Sequence, residues 1–389
     1  MITAHAPDQL RNIARLTFAH IVNDMYFPML VALQPILITT LGYSYFQAAF
    51  LVMTYSLLSS VLQPIFGHLA DKTGFRVSIS LSILLSGCGI ALLGQLTDHY
   101  LIMLGCVALS AVGTASFHPG ALTKVGAIAA SGNRGTITSF FIIGGNLGQA
   151  VGPIIAGLAL AYGTIQSISW LIVPALIMAL LLLVYPVPDT CPVASKTNTP
   201  ATGTGHWKPV ILLFAGSTLR AWVTFGAMTF LPTFLVLNGY PLLEATALVS
   251  VMLLSGVAGQ VAGGALSDRV GRKPVVVATT IAAIPAFLAI LFTHGILLIA
   301  AIIAFGFLLW SSFAVTIAMA HELMPAQIGL VSGLFLGISM GAGGIGVSLS
   351  GAVADWVGLD ASLLLFSVII LAAAVLFLMV GYPPREDPC

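Results

Sequence analysis

Apolar stretches of about twenty residues recur twelve times along the chain, and no other feature restricts its fold so tightly. A helix rises about 1.5 Å per residue, so about 20 apolar residues cross a hydrocarbon core of roughly 30 Å. Apolar runs between polar punctuation place helices at about residues 13–40, 46–69, 77–96, 100–121, 136–161, 166–186, 209–237, 243–266, 274–293, 296–319, 329–354 and 361–381. Only 6% of the 389 residues are charged, against about 25% in a domain that must cover its surface for water, which excludes a soluble protein. About 32 residues per span and loop leave no room for a large soluble domain. The expected fold class is an all-α integral membrane protein with twelve transmembrane helices.

The stretch from Val187 to Lys208 is rich in Pro, Thr and Gly and lacks an apolar period, so it reads as a linker. It divides the helices six and six: a bundle over residues 1–186, a cytoplasmic linker at 187–208 and a bundle over residues 209–389. The first apolar run is too long for a secretion signal and contains His20, Asn23 and Asp24, so it reads as a retained helix. With the N-terminus inside, twelve of the thirteen Lys and Arg residues fall on the inner side, while Asp98, Glu244, Asp355 and Asp360 fall outside. This implies a multi-pass protein of the plasma (inner) membrane, embedded in the lipid bilayer with both termini cytoplasmic. Arg220 is the basic residue left over.

The two halves repeat. Gly67-His-Leu-Ala-Asp71-Lys-Thr-Gly74-Phe-Arg76 follows the second helix and Gly264-Ala-Leu-Ser-Asp268-Arg-Val-Gly271-Arg272-Lys273 the eighth, with the aspartates 197 residues apart. These loops resemble the signature of the major facilitator superfamily, over the whole chain. A narrower resemblance is to its fosmidomycin resistance protein group of drug/proton antiporters. It rests on His20-Ile-Val-Asn23-Asp24, Leu62-Gln-Pro-Ile-Phe-Gly67, Phe117-His118-Pro119, Gly144-Gly-Asn146-Leu-Gly148 with Gly152-Pro153, and Glu322-Leu-Met-Pro325. The resemblance implies two pseudo-symmetric six-helix bundles around a central cavity, exporting a small, possibly anionic, compound against proton entry by alternating access. One departure is that Leu109 stands four residues before Gly113, where many drug antiporters carry an arginine.

Asp24 lies nine residues beyond Arg15, about 14 Å along a helix and so near mid-bilayer, where a charge costs at least about 2.5–3.5 kcal/mol. His20, Asn23, Asp24 and Phe27 share one helix face at i, i+3, i+4 and i+7, a polar stripe suited to a cavity. Arg220 lies twelve residues beyond Lys208, and Asp24 maps to position 221 in the repeat, so the two are expected partners. The plainer reading of both is a static buried ion pair. His118, before Pro119, could relay a proton or contact an anion, or could brace a kinked helix. Trp222, Phe225 and Trp310 are candidates to line the cavity, although aromatic residues in membrane helices more often pack.

Asp71 with Arg76, and Asp268 with Arg272, are expected to latch the inner side; His321 and Glu322, ending the tenth helix, are gate candidates. Gly144, Gly148 and Gly152, and Gly333, Gly337 and Gly341, recur every fourth residue and offer smooth faces. By the family architecture the fifth and eleventh helices meet the eighth and second. Gly341-Ala-Gly343-Gly-Ile-Gly346 spells GxGxxG, but inside an apolar helix, so no dinucleotide is expected.

No cofactor, metal or enzyme activity is expected. Spacings of the HExxH and P-loop types are absent, and cysteines 88, 106, 191 and 389 form neither a CxxC pair nor a metal-ligand pattern. Net charge of +1 gives no electrostatic case for nucleic acid. The expected partners are a small-molecule substrate and protons, with the protein a monomer. The alternatives are an importer or uniporter on the same fold and, more remotely, a membrane enzyme or sensor.

Overall fold

A computed structural model describes residues 6–128, 134–188 and 207–382, with side chains from 8–128, 137–188 and 207–382. Most of the linker, residues 189–206, lies outside the described residues, as do Cys191, Lys196, Arg385 and Cys389 and the side chain of Arg134. The described chain is helical, with no strand.

Twelve apolar helices follow in order: α1 (Asp8–Thr39), α2 (Tyr45–Thr73), α3 (Ile79–Gln95), α4 (Tyr100–Ile128), α5 (Ile137–Ala161), α6 (Ile165–Val184), α7 (Trp207–Leu237), α8 (Leu242–Val270), α9 (Arg272–Phe292), α10 (Gly295–Leu323), α11 (Pro325–Val357) and α12 (Leu359–Met379). Eleven are long and apolar enough to cross a membrane, and α3 is shorter. Several helices outrun the expected edges: α4 continues to Ile128, and Lys208, read as linker, lies in the first turn of α7. The apolar run stops at the first polar residue, whereas backbone hydrogen bonding carries on beyond the hydrocarbon.

The contacts divide the chain into two compact units. Unit 1 comprises Met1–Leu41, Thr54–Thr197 and Pro241–Ser250; unit 2 comprises Gly42–Met53, Asn198–Tyr240 and Val251–Cys389. The sequence halves are therefore traded at two helix tips. The start of α2 belongs to unit 2 because the Asp355 carboxylate accepts from the backbone N–H of Tyr45 (2.7 Å) and Phe46 (2.9 Å), while Gly351 lets α11 pack on Tyr45 and Ala49. The start of α8 belongs to unit 1 because Thr246 packs on Gly157 and the Ser250 hydroxyl accepts from Ile154 N–H at 3.2 Å.

The 197-residue repeat is visible in the backbone. Gly42 and Gly239 turn the chain after α1 and α7 with positive φ, and Gly74 and Gly271 do so after α2 and α8. Gly74 N–H donates to Ala70 O and Gly271 N–H to Ser267 O, both at 3.1 Å. Helix termination in a left-handed conformation explains the second glycine of each loop signature.

The glycine faces require a correction. Gly144, Gly148 and Gly152 lie against the carbonyls of Thr17, Ile21 and Met25, so this stripe joins α5 to α1 and not to α8. On α11, Gly333 faces open space, Gly337 falls in a π-helical stretch, Gly333–Ile338, and Gly341 is buried. The close contacts to α7 come from Gly343 on Ala221 and Gly346 on Trp222. Periodicity identifies a smooth face but not its partner. Among the motif residues beside the stripe, Asn146 is half-buried and Pro153 lies inside α5.

A Cβ at Gly148 would strike backbone, which cannot swing aside as a side chain could. Gly148→Leu should therefore reduce thermal stability in detergent by overpacking, a cost of about 1–3 kcal/mol or more. Gly105→Ala, at a glycine facing open space, should not. Equal melting temperatures for the two variants would contradict the α1–α5 contact.

Candidate functional site

The first segment of α1, Ala6–Asp24, ends on the acidic residue, and a new one, Tyr26–Ala32, starts after a one-residue interruption. Pro28 lacks the N–H that would bond the Asp24 carbonyl, which loosens the helix at this point. The stripe of His20, Asn23 and Asp24 is buried in unit 1.

His118 of α4 joins it. His20 Nε2 lies 3.1 Å from Asp24 Oδ2 and His118 Nε2 lies 3.4 Å from Asp24 Oδ1; Asn23 Nδ2 donates to Asp24 Oδ1 at 2.9 Å. The remaining ring nitrogens are occupied. His20 Nδ1 donates to the Phe141 carbonyl at 2.7 Å and His118 Nδ1 to the Thr114 carbonyl at 2.9 Å. A carbonyl only accepts, so each Nδ1 carries a hydrogen and each Nε2 faces the carboxylate. With both rings neutral, two lone pairs would oppose a carboxylate oxygen. A proton on either Nε2 converts that contact into a charge-assisted hydrogen bond. The three donor atoms lie within 4.8 Å of one another, close enough that a divalent ion competes with protons as a cation to be tested.

Neighbours that the sequence did not single out complete the cluster. The His20 ring stacks on Phe141 at 4.1 Å, and a Cβ on Gly145 would collide with the His20 ring and approach Asp24 Oδ2 to 2.9 Å. The Ser86 hydroxyl donates to Asn23 Oδ1 at 3.0 Å and meets Thr114 Oγ1 at 3.2 Å, which in turn meets the Tyr55 hydroxyl at 2.6 Å. Tyr55 packs on Phe27, the last residue of the stripe, at 4.8 Å between ring centres. Gly113, lying against Ser86 N and Ser82 O, permits the α3–α4 approach this chain needs. Ser82 and Ser86, four residues apart on α3, were the available signal.

The carboxylate's ionic partners are thus the two histidines and not Arg220. In unit 2, Arg220 is buried at 5% exposure, its Nε has no hydrogen-bond partner, and its guanidinium lies 5.1 Å from the centre of the Phe313 ring. No ion pair to it is found among the described residues. A cation–π contact returns about 0.5–2 kcal/mol, less than the 2.5–3.5 kcal/mol or more (approximate insertion-scale values) that a mid-bilayer charge costs. Trp222 donates Nε1 to Ser350 Oγ at 2.8 Å and fills the notch over Gly346, and Trp310 lies on Gly256, so both rings pack helices together. Phe225 is half-buried on α7.

The expected gate residues separate. Asp71 and Arg76 are exposed and make no ion pair among the described residues, so the first latch is not formed. In the second repeat Arg272 donates to Asp268 (2.5 Å), Ser267 (2.8 Å) and Glu322 (3.2 Å), and Tyr382 donates to Glu322. His321 Nε2 meets Ser332 Oγ at 2.7 Å. Asp355, read from sequence only as an outer-side acid, satisfies two N–H groups that the start of α2 otherwise leaves unbonded.

The chain belongs to the Major Facilitator Superfamily, whose model matches residues 16–336 and 239–388. It is a multi-pass membrane protein of a family that carries small molecules. It is 27% identical over 375 residues to the fosmidomycin resistance protein of Escherichia coli K12, covering 89% of this chain and 86% of that one. It is 29% identical over 371 residues to the MFS-type transporter YfnC of Bacillus subtilis 168, covering 92% and 90%. A 203-residue match at 28% identity to citrate exporter 1 of Aspergillus niger covers 52% and 37%. The structure of a bacterial homolog of the human lysosomal transporter Spinster, inward-facing and unoccupied, shares the fold with TM-score 0.79 at 17% identity, covering 96% and 97%.

Two carboxylate contacts should differ in weight. Asp355→Ala removes an acceptor from two N–H groups at a helix start and should cost about 1–2 kcal/mol in detergent unfolding. Arg272→Gln, in a partly exposed ion network, should cost less than about 1 kcal/mol.

Proposed function

We propose that the chain exports a small anionic compound in exchange for protons, as a secondary transporter and not an enzyme. The observation that carries this reading is Arg220, a buried guanidinium that no described acid neutralises. A planar fork of donors with no settled counter-charge suits a carboxylate or phosphonate-like group, and a bound anion would supply what the Phe313 ring does not. The citrate exporter among the relatives is in keeping with an anionic cargo.

The proton side of the exchange is assigned to His20, Asp24 and His118. Each ring can gain or lose a proton on the Nε2 that faces the carboxylate while its Nδ1 stays anchored to a carbonyl. On this reading the two six-helix repeats alternate between faces, the termini lie in the cytoplasm, and the Arg272 cluster is an inner-side latch.

Flux in liposomes tests the proposal, with labelled fosmidomycin and citrate as probes named for the relatives. Asp24→Asn should abolish pH-driven uphill transport and spare exchange. Arg220→Gln should weaken substrate affinity by about tenfold or more, the value of a hydrogen bond to a charged group, and lower coupling with it. Uphill transport retained in Asp24→Asn would remove Asp24 as the obligatory carrier. Loss of wild-type transport on chelation, restored by a divalent metal, would reassign the cluster to a metal ion.

A further inference from the structure

Unit 1 carries a feature that the transport reading leaves unused: a cavity of about 720 Å³ between α1 and α6, on their outer surface. On α1, Arg11, Arg15, Phe18 and Val22 follow one another at i, i+4, i+7 and i+11, so two cations and two apolar residues form a single stripe. The α6 wall is apolar throughout, with Ile177 and Leu181 exposed along it. Both cations lie at one end.

We infer that this groove binds one anionic phospholipid, with its phosphate at Arg15 and Arg11 and an acyl chain along Phe18, Val22 and Ile177. Length supports the assignment. From Arg15 to Val22 is seven residues, about 10 Å of helix, so the apolar part of the stripe lies within one leaflet's hydrocarbon of about 15 Å. Charge supports it too: with Arg11 and Arg15 on the inner side, the cationic end meets the leaflet that carries anionic headgroups.

The arginines are placed for such a ligand. Arg15 is held by the Tyr185 ring, 5.5 Å from its guanidinium carbon, and donates from one terminal nitrogen to Asn12 Oδ1 at 3.2 Å. A guanidinium has five donor hydrogens, so this leaves donors for a phosphate. Arg11 shares its charge with the exposed Asp8 carboxylate, so Arg15 is the stronger contact. Tyr185 at the same level is the aromatic residue expected at a membrane interface.

Native mass spectrometry of the full chain, delipidated in detergent and titrated with dioleoyl phosphatidylglycerol or dioleoyl phosphatidylcholine, tests the site. Each arginine near an anionic surface contributes about fivefold in affinity, so phosphatidylglycerol should bind about fivefold or more tighter. Arg15→Gln should remove most of that preference. Ile177→Trp, which fills the groove on an exposed position, should weaken retention of the lipid with the arginines intact. Glycerol phosphate, carrying the headgroup without the chain, should not compete. Equal binding of the two lipids, an unchanged preference in Arg15→Gln, or full competition by glycerol phosphate would each overturn the assignment.

Discussion

The candidate site depends on how closely α1 and α5 approach. Gly144, Gly148 and Gly152 on one helix meet the carbonyls of Thr17, Ile21 and Met25 on the other, both series stepping by four residues. At that spacing Phe141 can offer its carbonyl to His20, and Gly145 leaves room for the His20 ring and the Asp24 carboxylate. Hydrocarbon does not drive helices together as water does, so packing of this kind has to provide the association. Substituting a larger residue on α5 would separate the helices and also displace the ring that orients the carboxylate.

The two repeats share this scaffold but not its charges. Gly343 meets Ala221 in unit 2, and the 197-residue offset aligns Ala221 with Asp24, Arg220 with Asn23 and Val315 with His118. Where unit 1 places an acid between two bases, unit 2 places a methyl group against the glycine and a guanidinium one position earlier. Duplication preserved the helix contacts, which depend on small residues, while polar side chains at equivalent depths took different chemistry. An ion pair read from the near-coincidence of positions 24 and 221 is replaced by two separate arrangements, each explained within its own unit.

Much of this was legible in the sequence. The spans, the duplication, the stripe from His20 to Phe27 and the exceptional position of Arg220 follow from hydropathy, spacing and depth alone. The partners of each face were not. A four-residue glycine period fixes a helix face but carries no information about which helix will cover it: α5 meets α8 at Ile154 and Gly157 and α11 meets α2 at Gly351, whereas the face of Gly144, Gly148 and Gly152 is covered by α1. The carbonyls of Phe141 and Thr114 belong to the backbone and leave no mark on composition. Ser86 and Thr114 resemble the many small hydroxyl residues that membrane helices tolerate by bonding their own carbonyls. Asp355 looked like an ordinary loop acid because the groups it satisfies, on Tyr45 and Phe46, lie about 310 residues away in the chain.

The asymmetry between the latches has a physical consequence for the proposed cycle. Asp71 and Asp268 lie in the last turns of α2 and α8, each followed by an equivalent glycine, yet among the described residues only Asp268 is in an ion pair, through an arginine that also holds Glu322. Ion pairs at such partly exposed positions contribute little individually, so neither arrangement can fix a conformation alone. A transporter needs that weakness. An element that must open and close on each turnover has to keep its two states within a few kcal/mol of one another, and a deeply buried pair at the gate would hold one state too firmly. The buried charges, Asp24 and Arg220, lie instead inside the apolar spans α1 and α7. In the proposed cycle, the same energetics that would make a gate too rigid would let a proton or a bound anion at these buried charges move the equilibrium, through its differential affinity for the two states.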